Sequence, residues 1–247
     1  MTINKYLKLI SISVWKRIEF VWKTNNLRIS ETTITENLLF ELWQKSSNIQ
    51  FYEATDEKTN GNDIAIYLET SKGYIYLPTQ AKRIEKSNRY TEIHHKEGIQ
   101  RKNLIKHAGD KNFQGFPLYL LYSFNQHCNF PNYGCSFVDA EYIESHFPYK
   151  KHCKTPTFKD FIPKVAIPFD EILKISETTH ELKLGAKITI NSSDIKFHTL
   201  AEIKEMKNWR GLESTVQIIK KGNSKTDEND RFSPRYMLVF KDIMKKS

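Results

Sequence analysis

Hydrophobic positions in the first 45 residues recur at the spacing of a helix. The first apolar stripe consists of Tyr6, Ile10, Val14, Ile18 and Trp22. Side chains four residues apart share one helix face, which predicts an amphipathic helix over residues 4–23. A second stripe consists of Ile34, Leu38 and Leu42. It predicts another helix over residues 33–45.

After residue 48 the pattern changes to the two-residue alternation of strands. Strands are predicted over residues 49–54, 63–69, 74–83, 117–122 and 235–240. Further helices are predicted over residues 97–108, 139–147 and 200–209. This mixture of elements predicts a layered α/β or α+β fold.

Charge and composition narrow the class of protein. The 247 residues include 38 Lys and Arg against 29 Asp and Glu, a net charge of +9 that favours a polyanionic partner, nucleic acid before a membrane surface. Three cysteines are too few for a disulfide-stapled secreted fold. The longest apolar stretch, residues 116–124, is shorter than the ~18 residues that span a bilayer. Residues 9–15 are mostly apolar and could form a weak signal-peptide core, but basic residues follow at once, which favours a helix. We therefore expect a cytoplasmic protein with no membrane partner.

Candidate chemistry lies on two neighbouring predicted strands. Asp63 begins one strand, and Gln80 and Lys82 lie two residues apart on the next, so these two share a face. A short hairpin joins the strands, which predicts that Asp63 and Gln80 occupy neighbouring positions. Mg²⁺ prefers oxygen ligands, and Asp63, the Gln80 amide and the Ala81 carbonyl could supply them. Lys82 could then stabilise negative charge on a phosphate.

A magnesium site usually needs more than one carboxylate. Glu36 on the preceding helix, or Glu53 on the first strand, could supply a second one. Both also have ordinary interpretations: residues 33–36 fit a capping box that would use Glu36, and Glu53 is typical of a strand end. Asp63 is equally typical of a turn, and Gln80 and Lys82, taken singly, of a solvated strand face.

The order of these residues resembles the PD-(D/E)xK restriction-endonuclease-like superfamily. The likeness rests on Asp63, on the run Gln80-Ala81-Lys82-Arg83 and on the preceding helix with Glu36, and it covers roughly residues 33–124. The sequence is similar in particular to QxK variants such as the Mrr-type restriction enzymes. The resemblance implies an α/β core with a mixed central sheet flanked by helices. It also implies nuclease activity that depends on Mg²⁺ and a role in bacterial defence. Because a glutamine would stand where an acidic ligand is usual, Mn²⁺ is an alternative to Mg²⁺.

The resemblance also implies a role for each residue of the site. Asp63 would be the metal ligand, Gln80 would occupy the usual acidic slot, Lys82 would be the catalytic lysine, and Glu36 would be the helix carboxylate. A neutral Gln80 departs from the pattern, so that Glu36 or Glu53 would have to compensate. A proline inside the second strand, Pro78, is a further departure that predicts a bulge or a shifted boundary.

Positive and polar residues surround the proposed site. Those expected to contact nucleic acid, DNA in preference to RNA, are Arg83, Lys86, Arg89, Gln100 and Arg101. Contacts from such residues to phosphates position a nucleic acid without reading its sequence. A solvated loop or helix charge is an equally open interpretation for each of them.

The domain prediction places a nuclease domain at residues 1–150 and a C-terminal α+β extension of unknown role at residues 151–247. A homodimer is a further expectation. Two other functions remain open: a catalytically inactive nuclease fold that binds nucleic acid or a protein partner, and a zinc-stabilised interaction module. The zinc ligands would be His127, Cys128, Cys135, His152 and Cys153, whose spacing matches no standard finger.

Overall fold

The computed structural model describes residues 2–24, 27–45, 48–54, 63–150, 153–205, 209–211 and 235–241. Its helices are α1 (Ile3–Lys23), α2 (Glu31–Lys45), α3 (Ile99–Ala108), α4 (Ala140–His146), α5 (Phe158–Phe161) and α6 (Leu200–Glu205). Its strands are β1 (Ile49–Ala54), β2 (Asp63–Thr70), β3 (Gly73–Arg83), β4 (Leu118–Tyr122), β5 (Cys135–Asp139), β6 (Ile167–Pro168), β7 (Ile175–Glu177), β8 (Glu181–Leu184), β9 (Ile188–Asn191), β10 (Phe197–His198), β11 (Trp209–Gly211) and β12 (Tyr236–Phe240). Short 3₁₀ helices cover Thr91–Gly98, Pro131–Tyr133 and Phe169–Leu173.

One mixed sheet dominates the described chain. Its strand order is β11-β1-β12-β2-β3-β4-β5-β6, and β10 pairs with the beginning of β3. The pairs β12–β2 and β3–β4 are parallel, and the other described pairs in this sheet are antiparallel. Strands β7, β8 and β9 form a separate antiparallel sheet. The predicted α/β class, with a mixed central sheet flanked by helices, is confirmed.

The last described strand lies inside the sheet. Tyr236 at the start of β12 is paired with Glu53 of β1 on one side and with Ile64 of β2 on the other. The other residues of β12 are buried and apolar. An apolar strand of this kind suits the centre of a sheet, where neighbours pair with both of its edges and its two faces are covered. β6, β10 and β11 join the same sheet, which is therefore built from residues on both sides of position 150.

Alternate residues of β3 separate two faces of the sheet. Leu77 and Ala81 pack into the main core, together with residues of α1 and α2, and we call this side the α2 face. Tyr76, Gln80 and Lys82 point to the opposite side, which we call the α3 face. Side chains of α3 contact both Tyr76 and Gln80 there. The two helices α2 and α3 thus cover opposite faces of β3.

Pro78 lies within β3 without interrupting it. The pairing of β2 with β3 is continuous, with Pro78 opposite Ala65. Tyr76, two residues earlier, accepts a backbone hydrogen bond from Phe116 at 2.9 Å, so residue 78 also directs its nitrogen toward the β4 side. The pairing with β4 begins only at Thr79. The missing N–H therefore removes no ladder bond, and the expected bulge or shifted boundary is wrong.

Helix α2 begins at Glu31, two residues before the predicted start. The Thr33 backbone N–H donates to Ser30 Oγ at 3.0 Å, which makes Ser30 the N-cap. The predicted capping box over residues 33–36 is therefore wrong. Glu36 lies in the second turn, where it has no capping role.

No helix within the described ranges is long and apolar enough to cross a bilayer.

Candidate active site at the β2–β3 hairpin

The hairpin β2–β3 brings two of the predicted site residues together. Asp63, the first residue of β2, is the direct register partner of Gln80 on β3. Residues directly opposed in an antiparallel pair share a face, with Cβ atoms ~5 Å apart. Position 63 is therefore on the α3 face, beside Gln80 and Lys82. The predicted neighbouring placement is confirmed for the backbone, whereas the Asp63 side chain lies outside the described residues.

Gln80 is buried and only half satisfied. Its side chain is 4 % exposed, and Nε2 donates to Gln100 Oε1 at 3.2 Å. Its Oε1 atom is buried and has no hydrogen-bond partner among the described residues. Leaving a buried acceptor unpaired costs about 1–3 kcal/mol. Gln80 therefore presents an oxygen that a bound cation or an incoming donor would stabilise.

Lys82 is a buried cation on the same face. Its side chain is 6 % exposed, and Nζ donates to Gln100 Oε1 at 3.4 Å. An ammonium has three N–H donors and a full charge. One long bond to a neutral amide does not offset the cost of burying that charge. The site therefore favours an anion next to Lys82. Because both side chains are buried, the interpretation of Gln80 and Lys82 as a solvated face is wrong.

Gln100 reaches this pair from the first turn of α3. The turn before α3 is left-handed, with φ of 47° at Lys96, 58° at Glu97 and 78° at Gly98. Each non-glycine residue in this conformation costs roughly 1–2 kcal/mol, and such strain concentrates at functional sites. A Cβ at position 98 would lie 3.2 Å from Tyr149 Cβ, so glycine also suits the packing. This turn precedes the first residue of α3, so that Gln100 in the first turn of the helix contacts β3.

The sequence predicted Gln100 as a nucleic-acid contact and missed its bonds to Gln80 and Lys82. One signal was available before the structure. The helix that connects two parallel strands crosses one face of the sheet, and the early turns of the 97–108 helix follow β3 in the chain. A polar residue in its first turn was therefore placed to meet the polar face of β3.

Glu53 lies on the wrong face for this site. In β1 it shares its face with Ile49 and Phe51, which belong to the core of the α2 face. It is also separated from β2 by β12, a distance of about two strand spacings, roughly 10 Å. The side chain of Glu53 lies outside the described residues, and the register of its backbone does not bring position 53 next to Gln80.

Glu36 is likewise placed on the α2 face. It is exposed on α2, and its Oε1 lies 3.5 Å from Nη1 of Arg235. It borders an apolar groove of about 310 Å³ whose lining includes Phe40, Trp43 and Tyr236. No described contact of Glu36 reaches Gln80 or Lys82. The structure thus does not bring the predicted helix carboxylate together with the hairpin residues.

The predicted nucleic-acid contacts divide into exposed and buried residues. Lys86 and Arg89 are exposed in the loop after β3, and Lys86 Nζ donates to the Thr24 carbonyl at 3.1 Å. Arg83 is half-buried at the end of β3, where its backbone N–H donates to Glu31 Oε2 at 2.9 Å. Lys86 and Arg89 are therefore the members of this set most open to a phosphate.

Arg101 cannot contact nucleic acid in this conformation. Its side chain is completely buried, and Nε donates to the Glu144 carboxylate of α4. Nη1 donates to the Ile93 carbonyl at 3.5 Å. Arg101 therefore ties α3 to α4 and to the preceding 3₁₀ helix. Its Nη2 is buried without a described hydrogen-bond partner, and the whole guanidinium is shielded from solvent, so a phosphate could reach it only after a rearrangement.

A histidine next to the site is held neutral by burial. His107 of α3 lies 3.1 Å from the Tyr76 hydroxyl, measured from Nε2, on the face that carries Gln80. Burial lowers the pKa of His107 to about 4, an effect partly offset by the charge of Asp110. Burial also raises the pKa of Tyr67, whose ring stacks on Tyr76. The α3 face therefore continues from the site into an uncharged aromatic cluster.

The zinc hypothesis finds no support in the described residues. Within the described ranges, no three side chains of His, Cys, Asp or Glu lie close enough together to hold a metal ion. Cys135 is completely buried in β5, and burial raises the pKa of its thiol. His152 lies outside the described residues.

The comparisons with known proteins place the chain in a family without assigning an activity. No curated protein and no solved structure matches the chain. The sequence profile of DUF6615, described as a family of unknown function, matches residues 3–238. This match includes both strands of the hairpin and the first three residues of the inserted strand β12. The chain therefore belongs to the family of unknown function DUF6615.

Proposed function

We propose that this protein is a metal-dependent endonuclease that hydrolyses phosphodiester bonds, with DNA as the favoured substrate. The observation that carries the proposal is the pairing of Asp63 with Gln80, whose buried oxygen has no described partner, beside the buried ammonium of Lys82. These three residues belong to the set of four that the resemblance to the PD-(D/E)xK superfamily implies, the fourth being Glu36. The net charge of +9 supports a polyanionic substrate.

The residues of the hairpin fit a hard divalent cation. Mg²⁺ and Mn²⁺ take oxygen ligands, and Gln80 offers an amide oxygen that is buried and unpaired. In the proposal, the carboxylate of Asp63 and the Gln80 oxygen hold the ion. When bound, the ion would supply positive charge and a more acidic water at the phosphate.

Lys82 is proposed to act on the phosphate itself. A buried ammonium beside an anion-favouring position can donate to a non-bridging oxygen, and this bond strengthens as negative charge develops in the transition state. Exposed Lys86 and Arg89, on the loop that follows β3, would hold the nucleic-acid backbone through its phosphates. The three free cysteines agree with action in the cytoplasm. A role in defence rests on the resemblance alone.

A second candidate function is binding without cleavage. Glu53 lies on the other face of the sheet, and Glu36 pairs with Arg235, so Asp63 is the one predicted carboxylate whose register position adjoins Gln80. A single carboxylate with a neutral amide holds Mg²⁺ weakly. This charge deficit favours a nuclease-like protein that binds nucleic acid or a protein partner and does not cut.

A cleavage assay separates the two functions. Wild type, Asp63→Asn and Lys82→Met would be incubated with duplex DNA, single-stranded DNA and RNA, each with Mg²⁺, Mn²⁺ or a chelator. We expect cleavage of DNA by the wild type, strongest with Mn²⁺, and its loss in both variants. Lys183→Ala is the control, because it removes an exposed charge from the separate sheet β7-β8-β9 and leaves the hairpin unchanged.

The outcomes of this assay are distinct. Cleavage that survives in both hairpin variants would place the chemistry elsewhere. Binding of DNA by the wild type without cleavage under any metal condition would favour the second function. Circular dichroism of each variant shows whether the fold is retained, so that a loss of activity can be assigned to the site.

A further inference from the structure

The three side chains Lys82, Gln100 and Gln80 form a chain of hydrogen bonds with a fixed direction. The ammonium of Lys82 can only donate, so the atom of Gln100 that it meets must be the oxygen Oε1. The same Oε1 lies 3.2 Å from the Gln80 amide, and an oxygen there requires a donor, which is Nε2. Gln80 is therefore left with its own oxygen, Oε1, on the side away from Gln100, buried and without a described partner.

We propose that Gln100 is a positioning residue that orients the Gln80 amide so that its oxygen, and not its nitrogen, faces the cation. This inference rests on the proposed metal-dependent function. Without an acceptor at position 100, the amide of Gln80 is free to rotate by 180°, and its NH₂ group would then occupy the ligand position. An NH₂ group cannot coordinate Mg²⁺ or Mn²⁺. The neutral glutamine in the acidic slot thus works only with a second glutamine that fixes its orientation.

The orientation requirement disappears when residue 80 is a carboxylate. Both terminal atoms of a glutamate are oxygens, so either rotamer of its end group presents a ligand. The effect of a change at position 100 on cation binding should therefore depend on which residue occupies position 80. A purely structural role of Gln100 in seating α3 predicts the same effect in both backgrounds.

The test measures Mn²⁺ binding to DNA-free protein by electron paramagnetic resonance in four forms: wild type, Gln100→Met, Gln80→Glu and the double variant. Methionine keeps the length of the side chain and replaces the amide oxygen by a thioether, which is a much weaker acceptor. In the Gln80 background we expect Gln100→Met to weaken Mn²⁺ binding about tenfold, as for other residues that orient a metal ligand. In the Gln80→Glu background we expect a change of less than about twofold, since the carboxylate needs no orientation.

Equal losses in the two backgrounds, or no loss in either, would overturn the proposal. If the wild type binds no Mn²⁺, the metal-dependent function fails, and the orientation is then decided by the side-chain amide resonances of Gln80, assigned from their disappearance in Gln80→Glu. A shift of these NH₂ resonances in Gln100→Met supports the fixed hydrogen bond, whereas unchanged resonances contradict it. The failure of the function and that of the orientation are thereby distinguished.

Discussion

The carboxylate of Glu36 lies 3.5 Å from the guanidinium of Arg235, and both groups are substantially exposed on the α2 face. Gln80 and Lys82 lie on the opposite face of β3. The helix carboxylate is therefore paired away from the hairpin residues with which the sequence motif groups it.

The first prediction follows from this separation. Replacement of Glu36 by Gln should leave Mn²⁺ binding and cleavage within about twofold of wild type, because Glu36 contacts neither Gln80 nor Lys82. The free energy of unfolding should change by less than about 0.5 kcal/mol, since the pair with Arg235 is exposed. Asp63→Asn is the comparison, and a loss in Glu36→Gln as large as in Asp63→Asn would return Glu36 to the site.

The second prediction concerns the buried guanidinium of Arg101. Replacement of Glu144 by Ala leaves this charge in the interior without its anionic partner, which should lower the free energy of unfolding by about 3 kcal/mol. Urea unfolding measures the change. Glu141→Ala, the same substitution at an exposed position of α4, should cost less than about 1 kcal/mol. Similar losses in the two variants would show that the ion pair with Arg101 stabilises the fold no more than an exposed carboxylate near the start of α4 does.

The third prediction is a dependence of stability on pH. The folded-state pKa of His107 is about 4 and lies below the ordinary value of 6.5, so the unfolded chain takes up a proton first as the pH falls. Its contribution to stability is complete above pH 6.5 and is lost between about pH 6.5 and 4. From pH 7 to pH 5 this loss amounts to about 2 kcal/mol.

The measurement compares urea unfolding of wild type and His107→Gln at pH 7 and pH 5. The variant should lose about 2 kcal/mol less than wild type over this interval. Burial raises the pKa of Asp139 to about 6, which stabilises the folded state as the pH falls. That effect is present in both proteins and cancels in the comparison. Identical losses in the two proteins would show that His107 does not titrate as its burial requires.

The fourth prediction concerns the salt dependence of DNA binding. If Arg89 contacts a phosphate, Arg89→Ala should reduce the slope of log K against log salt by about 0.9. Fluorescence anisotropy with a labelled duplex gives this slope. Lys183→Ala removes an equal charge from the separate sheet β7-β8-β9 and should leave the slope unchanged. A slope unaffected by either change would place the DNA surface elsewhere.

The fifth prediction is a local test of the start of α2. Ser30→Ala removes the oxygen that accepts from the Thr33 backbone N–H and should destabilise the protein by about 1 kcal/mol. Thr33→Ala keeps this N–H and its bond and removes only the exposed 2.8 Å contact between the Thr33 hydroxyl and Ser30 Oγ, so it should cost less than Ser30→Ala. Thermal or urea unfolding of both variants distinguishes the true cap from the predicted capping box. A larger cost for Thr33→Ala would reverse the assignment.

The hairpin was accessible from the sequence because its determinants are local. A period of two along residues 63–69 and 74–83, with a short turn between them, leaves few registers, and the observed one pairs Asp63 with Gln80. The helices at the start of the chain followed from their apolar stripes for the same reason. The cap at Ser30 was missed because an alternative capping pattern begins three residues later.

Burial and long-range pairing could not be read in this way. Arginine is rarely buried, so the residue type alone predicted an exposed Arg101. Its pairing with Glu144 depends on where α4 packs against α3. The separation of Glu53 and Glu36 from Gln80 depends on the insertion of β12 between β1 and β2 and on which face α2 covers. These are choices among pairings of segments far apart in the chain. Alternation along a strand specifies which residues share a face, but the contacts between strands and helices specify what that face meets.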